Sequence, residues 1–295
     1  MRIPLLVAAL LLCLYSAFVT YGPRPRDVRL QSGDQQNRHV IETFMRDPAR
    51  PSVVLVGSSM TERLGETIGA GCAYNLALGG ESALTGLAVL AKAGATPKQI
   101  FIEMNVPERG VNARLVEDGT RALPRWIPAL ATRNMPVNLL FSALARFKSP
   151  APRGADTAVL GQALDVQRDV YARPIPAPDL AANIATLKAQ VQRLEGAGSR
   201  VIFFELPIHP SLEGTARAMQ IRAAFVAAFP SHRLLTADQL ATAATISTID
   251  GVHLTLDEAA SVGRRLQDWY GGACEAPALP TATTSHSITR ALGHG

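Results

Sequence analysis

Cysteine is scarce in this sequence, with 3 residues among 295. That excludes a dense disulfide framework. His39, His232, His286 and His294 show no ligand spacing with any Cys or carboxylate, so no metal site is indicated. Lys and Arg are scattered without a basic run or helical stripe. The net charge of +5 therefore does not point to nucleic acid. A solvated surface accounts for it, as does one facing acidic membranes or glycans. No glycine-rich loop with a P-loop lysine follows a strand, no internal repeat is visible, and no cofactor is implied.

Charge is also missing from Ile3 to Gly22, where Leu, Val, Ala and Phe dominate. A helix of about 20 residues spans roughly 30 Å, the thickness of a hydrocarbon core. Two readings are open, a cleaved signal peptide and a retained anchor. The lack of an A-x-A cleavage site favours the anchor. Arg24, Arg26 and Arg29 follow the run and, by the positive-inside rule alone, favour a cytoplasmic body. The short basic start before an apolar run is the usual export pattern, and an inner-membrane anchor with a periplasmic body is the expectation. Cys13 lies within the run. Cys72 and Cys274 then form one disulfide in an exported body, or remain a buried and a free thiol.

What is present is a regular alternation. Residues 23–38 read as a linker, and His39 to Met45 as a short helix. Val53-Val54-Leu55-Val56 is an unbroken apolar, largely β-branched run between Pro51 and Gly57, as suits a buried parallel strand. Further strands are expected at Ala73–Leu76, Ile100–Met104, Val201–Leu206 and Arg233–Leu235. Between them, helical spacing appears at Met60–Ile68, Ser82–Ala93, Asp179–Leu194 and Gly214–Phe229. Thr255 and Glu258 form a capping-box pattern for a last helix. Residues 107–177, rich in Pro and Arg, read as an insertion or lid, and residues 273–295 as a loose tail. Alternating strand and helix implies an α/β three-layer sandwich with a parallel sheet, whose reactive groups gather at the carboxyl ends of the strands.

Two segments stand at such places. Gly57-Ser58-Ser59-Met60-Thr61 runs from the first strand into a helix start, where unpaired N–H groups and the positive dipole end suit a nucleophile that yields an oxyanion. Alone, it reads more simply as a helix cap. Asp250-Gly251-Val252-His253 precedes the last helix. Asp three residues before His can orient the ring and leave its other nitrogen as a base, although alone it is an Asp-Gly turn with a surface His.

Together these segments resemble the SGNH (GDSL-like) hydrolase superfamily over residues 50–270. The family's G-D-S-x-T block matches Gly57 to Thr61 with Ser58 in the Asp place, and its D-x-x-H block matches Asp250 and His253. Its second block, an Asn followed by a Gly, matches Asn75 to Ser82 and puts that Gly on Gly80. Of its G-x-N-D block only Asn105 survives. The resemblance implies a three-layer α/β/α, flavodoxin-like sandwich with a mainly five-stranded parallel sheet. It implies a triad of Ser59, His253 and Asp250, and an oxyanion hole from the Ser59 and Gly80 amides and the Asn105 side chain.

The Gly-Ser-Ser variant and the apolar start are similar to membrane-anchored envelope acylation proteins of the alginate O-acetylation and D-alanyl transfer type. That implies acyl (acetyl) transfer between an acylated donor and a glycan acceptor, with a multi-pass membrane acyltransferase as partner. A membrane-tethered esterase is the alternative. His209, after the fourth strand, either lines the substrate site or is a loop residue between two prolines.

Overall fold

The computed structural model describes residues 2–22, 28, 30–49, 51–68, 72–145, 157–241 and 246–274. Arg24, Arg26 and Arg29, and the tail beyond Cys274 with His286 and His294, lie outside the described residues.

An apolar helix α1 (Arg2–Tyr21) leads, and α2 (Gly33–Arg46) follows it. The sheet strands are β1 (Val53–Val56), β2 (Ala73–Asn75), β3 (Gln99–Glu103), β4 (Arg200–Phe204) and β5 (Arg233–Leu235). They pair in the order β2-β1-β3-β4-β5, all parallel, as in doubly wound flavodoxin-like sheets. Between β1 and β3 come α3 (Ser59–Glu62) and α4 (Ala83–Ala93). After β3 come α5 (Ala113–Gly119), α6 (Leu123–Trp126), α7 (Pro136–Ala145), α8 (Thr157–Ala172) and α9 (Ala177–Gly196). Then follow α10 (Pro210–Glu213), α11 (Ala216–Ala228), α12 (Ala237–Leu240) and α13 (Leu256–Gln267).

Alternate strand residues point to opposite faces, and both faces are covered. Val54, Val56, Ile100, Ile102 and Phe203 pack with α2, α4, α9 and α11. Val53, Leu55, Phe101, Ile202 and Phe204 pack with α8, α10 and α13. This is why the strands read as unbroken apolar runs: neither face sees water. The chain is thus a three-layer α/β sandwich.

Several expected boundaries move. The linker is shorter than residues 23–38, because α2 already begins at Gly33, capped by the Ser32 hydroxyl. The expected Met60–Ile68 helix is one turn of α-helix, Ser59–Glu62, followed by a 3-10 turn at Gly65–Ile68. Thr255 stands at the start of α13 without a side-chain cap, and the capping box occurs instead at Thr236 and Gln239 ahead of α12. Ala273 and Cys274 belong to the body rather than the tail. They form a 3-10 turn, and Cys274 is bridged to Cys72 with their Cα atoms 5.4 Å apart. The bridge ties the start of edge strand β2 to the chain's far end.

The insertion divides into two parts. Its first part, through α7, packs beside α1 and α2: Tyr15 donates to the Asn134 carbonyl at 2.5 Å, and Val19 is fully buried. Its second part, α8, brings Leu164 and Tyr171 into the core near the strand ends.

Candidate active site

Strand β1 ends at Gly57, and the chain turns at once into α3. The turn is anchored from the neighbouring strand by Glu103, which is buried at the end of β3. Glu103 accepts from the Ser58 amide and hydroxyl, both at 2.7 Å, and from the Thr61 hydroxyl at 2.6 Å. A Cβ on Gly57 would collide with Glu103 Oε2 and Thr61 Oγ1, so only glycine lets the carboxylate approach this closely. Burial pushes the Glu103 carboxyl up from its ordinary range, against these hydrogen bonds, which pull it down.

Ser59 is the first residue of α3, and its Oγ lies 2.8 Å from His253 Nε2. His253 Nδ1 lies 2.6 Å from Asp250 Oδ2, while Asp250 Oδ1 accepts from the Val252 and His253 amides at 3.0 and 2.8 Å. Burial works to raise the Asp250 carboxyl, but the His253 ring and the two amides outweigh it and hold it below its ordinary value. An ionised Asp250 bonded to Nδ1–H leaves Nε2 as the acceptor toward the Ser59 hydroxyl. The structure therefore brings Ser59, His253 and Asp250 into one hydrogen-bonded line at the carboxyl edge of the sheet.

The other expected residues divide. Among the described residues neither the Ser59 nor the Gly80 amide donates to a protein acceptor. Gly80 is exposed, with φ +77, a left-handed conformation that suits glycine. It is not among the residues lining the cleft around Ser59. Its turn is clamped from α2. Asn37, buried, donates to the Gly79 carbonyl and accepts from the Gly79 amide, both at 2.8 Å. Asn105 does line the cleft, yet its amide is partly committed: Nδ2 donates to Leu206 O at 2.9 Å and Oδ1 accepts from Leu206 N at 2.8 Å. Only its second Nδ2 hydrogen remains for an oxyanion. His209 is not among the cleft-lining residues. Its ring turns back to Ser211, accepting from that amide at 3.2 Å as the cap of α10.

A cleft of about 140 Å³ opens beside Ser59 and His253. Residues not singled out in the sequence form its far wall: Glu108, Arg109, Gln167, Tyr171 and Arg217. Arg217 pairs with Glu108 at 2.7 Å and lies over the Tyr171 ring at 5.9 Å. Burial lifts the Tyr171 phenol to about 12, so it stays protonated. Glu62, on α3, adds a carboxylate next to the site. Burial raises it and His253 opposes that rise, and a Cβ at Gly79 would lie 2.5 Å from its Oε2. The wall residues come from three separate stretches of chain and share no local motif. No sequence signal points to Asn37, since residues 33–39 are Gly-Asp-Gln-Gln-Asn-Arg-His and the apolar positions of α2 begin only at Val40.

Comparison with known proteins adds little to this geometry. No protein-family model matches the chain, and no curated protein matches it. One solved structure to which it is similar is titled "Crystal Structure of TesA", with 13% sequence identity and a TM-score of 0.41, covering 75% of this chain and 98% of that one.

Proposed function

We propose that this chain is a membrane-anchored serine acyl-transfer enzyme of the SGNH type, acting on an extracytoplasmic glycan. The observation that carries the reading is the unbroken line from Asp250 through His253 to Ser59, with Ser59 Oγ 2.8 Å from Nε2. Ser59 Oγ attacks the ester carbonyl carbon while His253 Nε2 takes the hydroxyl proton. The carbonyl electron pair moves to oxygen, where the Ser59 amide and the second Asn105 hydrogen receive it, with the Gly80 amide as the third donor that the family resemblance implies. Collapse expels the donor alcohol, protonated by His253, and leaves an acyl-Ser59 ester. A sugar hydroxyl, deprotonated by His253, then attacks that ester, and the reverse sequence frees Ser59. Asp250 orients the ring and stabilises the imidazolium.

The size of the cleft, about 140 Å³, suits a short acyl group such as acetyl, well below the roughly 300 Å³ at which drug-sized ligands begin to fit. Its polar wall of Glu108, Arg109, Gln167, Tyr171 and Arg217 suits a hydroxyl-rich acceptor. The 19-residue apolar segment Ile3–Tyr21 is long enough to cross a membrane, and its contact with Asn134 favours a retained anchor over a cleaved signal. A periplasmic body and a multi-pass acyltransferase that supplies the acyl group complete the proposal. Hydrolysis is the competing reading, favoured by the quarter exposure of His253 and Asp250, 26% each, which admits water.

A fluorophosphonate probe should label the wild-type protein and leave Ser59→Ala unlabelled. Labelling that persists in Ser59→Ala rules out Ser59 as the nucleophile. With p-nitrophenyl acetate and a deacetylated polysaccharide, acetyl groups appearing on the sugar support transfer. Release of acetate alone assigns the chain to the esterases.

A further inference from the structure

Helix α7 is built inside out. Val137, Leu140, Phe141 and Leu144 recur at the spacing of one helical face, and all four are exposed, Leu140 at 61%. The opposite face is polar and buried, with Asn138 at 0% exposure and Ser142 at 3%. Asn138 Nδ2 donates to the Thr132 carbonyl at 2.8 Å, and Ser142 Oγ to the Asn138 carbonyl at 2.6 Å. Thr132 in turn gives its amide and hydroxyl to the buried Glu42 carboxylate, at 2.9 and 2.7 Å. A surface helix that meets water has the reverse pattern. The preceding segment adds Leu123, Leu130 and Trp126, the last 80% exposed.

The position of this surface along α1 says what covers it. Tyr15, which donates to the Asn134 carbonyl, lies six residues before the end of α1 at Tyr21. At 1.5 Å per residue that is about 9 Å below the end of the helix. Interfacial helices bury their apolar face about 5–10 Å into the headgroup–acyl boundary, so the segment touching Tyr15 sits at that depth if α1 spans the bilayer. Arg46, Arg125 and Arg133 line a hollow of about 210 Å³ against Val19 and Thr20, close to the end of the span. Cations at that level complement anionic headgroups, and an exposed Trp suits the interface.

We propose that the face formed by α7 and the Leu123–Leu130 segment beds into the lipid bilayer beside α1, at the headgroup–acyl boundary. The proposal rests on α1 being a retained anchor, and not on the chemistry assigned to Ser59. The insertion then does two things: α8 walls the cleft, and the earlier part fixes the body against the membrane at a set height.

The chain has only two tryptophans, which makes a direct test available. The full-length Trp269→Phe protein, in phosphatidylcholine–phosphatidylglycerol vesicles, should lose roughly half its Trp126 emission when the lipid is brominated near the headgroup, as a ring at this depth requires. The Trp126→Phe protein should lose none. Cys13, exposed on α1 and the free cysteine, serves as the internal control and should resist a membrane-impermeant maleimide. Should Trp269→Phe fold poorly, a nitroxide at Leu140→Cys in a Cys13→Ser background reads the same depth. That label should be reached by oxygen and shielded from a water-soluble nickel complex. Unquenched Trp126 with Cys13 protected overturns the bilayer contact while leaving the anchor in place. Reaction of Cys13 in intact vesicles overturns both. Quenching in vesicles that disappears in native membranes, with position 140 crosslinking to another protein, also overturns the proposal and gives the face to a protein partner.

Discussion

The turn Gly57–Thr61 and the turn Asp250–His253 meet at the site, but different forces hold them. The first is fixed from the core. Ser58, Thr61 and Glu103 are all buried, and the bonds that set the turn come from a residue 42 to 45 positions away. The second is only partly buried at Asp250 and His253 and is held mainly by its own neighbours: Asp250 with His253 and Val252, Ile249 with the His253 carbonyl, and Gly251 with Thr248, with a distant bond from the His209 amide to the Gly251 carbonyl at 2.8 Å. The two nearby carboxyls shift oppositely for the same reason. Burial dominates at Glu103 and raises it, whereas local hydrogen bonds dominate at Asp250 and lower it. The position of Ser59, the proposed nucleophile, is therefore tied to global stability, while that of His253, the proposed base, is tied mainly to local bonds. Rate and stability should separate at one turn and move together at the other.

The largest expected effect is at the local turn. Asp250→Asn should lower kcat on p-nitrophenyl acetate by about 10⁴, through loss of the ring's orientation and tautomer, with little change in Tm. A fall in Tm that matches the loss of rate would break the distinction. At the buried turn, Glu103→Leu leaves the Ser58 amide, the Ser58 hydroxyl and the Thr61 hydroxyl without their acceptor. At about 1–3 kcal/mol per stranded group, the expected loss is roughly 3 kcal/mol or more, visible in urea unfolding, with activity falling in parallel. Glu103→Gln keeps one acceptor oxygen and should retain most of both. A leucine variant that is stable but inactive would show that Glu103 acts other than by holding the turn.

Smaller effects test the remaining parts. Asn37→Ala removes both bonds to Gly79, each worth about 0.5–1.5 kcal/mol, and should slow turnover roughly ten-fold by loosening the Gly80 amide. An unchanged kcat would remove Gly80 from the oxyanion contacts. The smallest effect is the slope of stability against pH. Glu103 binds its proton more tightly in the folded chain, so its contribution is fully present below its ordinary value of 4.5 and is lost as pH rises through the higher folded value. Asp250 works the other way: its contribution is present above its ordinary 3.8 and is lost as pH falls through the lower folded value. Unfolding free energies measured from acid to neutral pH should therefore decline less steeply in Glu103→Gln than in the wild type. Identical slopes would refute the burial of an ionisable Glu103.

Legibility in the sequence follows the same division between local and distant causes. β1, β3 and β4 are readable because a strand covered on both faces must be apolar at every position, and Val53–Val56 and Val201–Phe204 are. The Asp250–His253 contact is readable because three residues span it. Glu103 as the anchor of Ser58 is not, since the pairing depends on β3 lying beside β1. The insertion was the least readable part. The apolar stripe of α7 has ordinary helical spacing, and the spacing does not say whether it faces a core or a membrane.

The sequence by itself determined the α/β alternation, the apolar span at the start, and the small set of Ser, Asp and His residues able to act as nucleophile, orienter and base. Periodicity and turn chemistry are local properties, and these features need nothing else. Only the tertiary structure decided that Ser59 lies within hydrogen-bond reach of His253, that Glu103 holds the turn, and that Asn37 clamps the Gly79 peptide. It also turned the apolar face of α7 outward beside α1. Each of these is a meeting of chain segments tens to hundreds of residues apart, created when the parallel strands align and both faces of the sheet are covered.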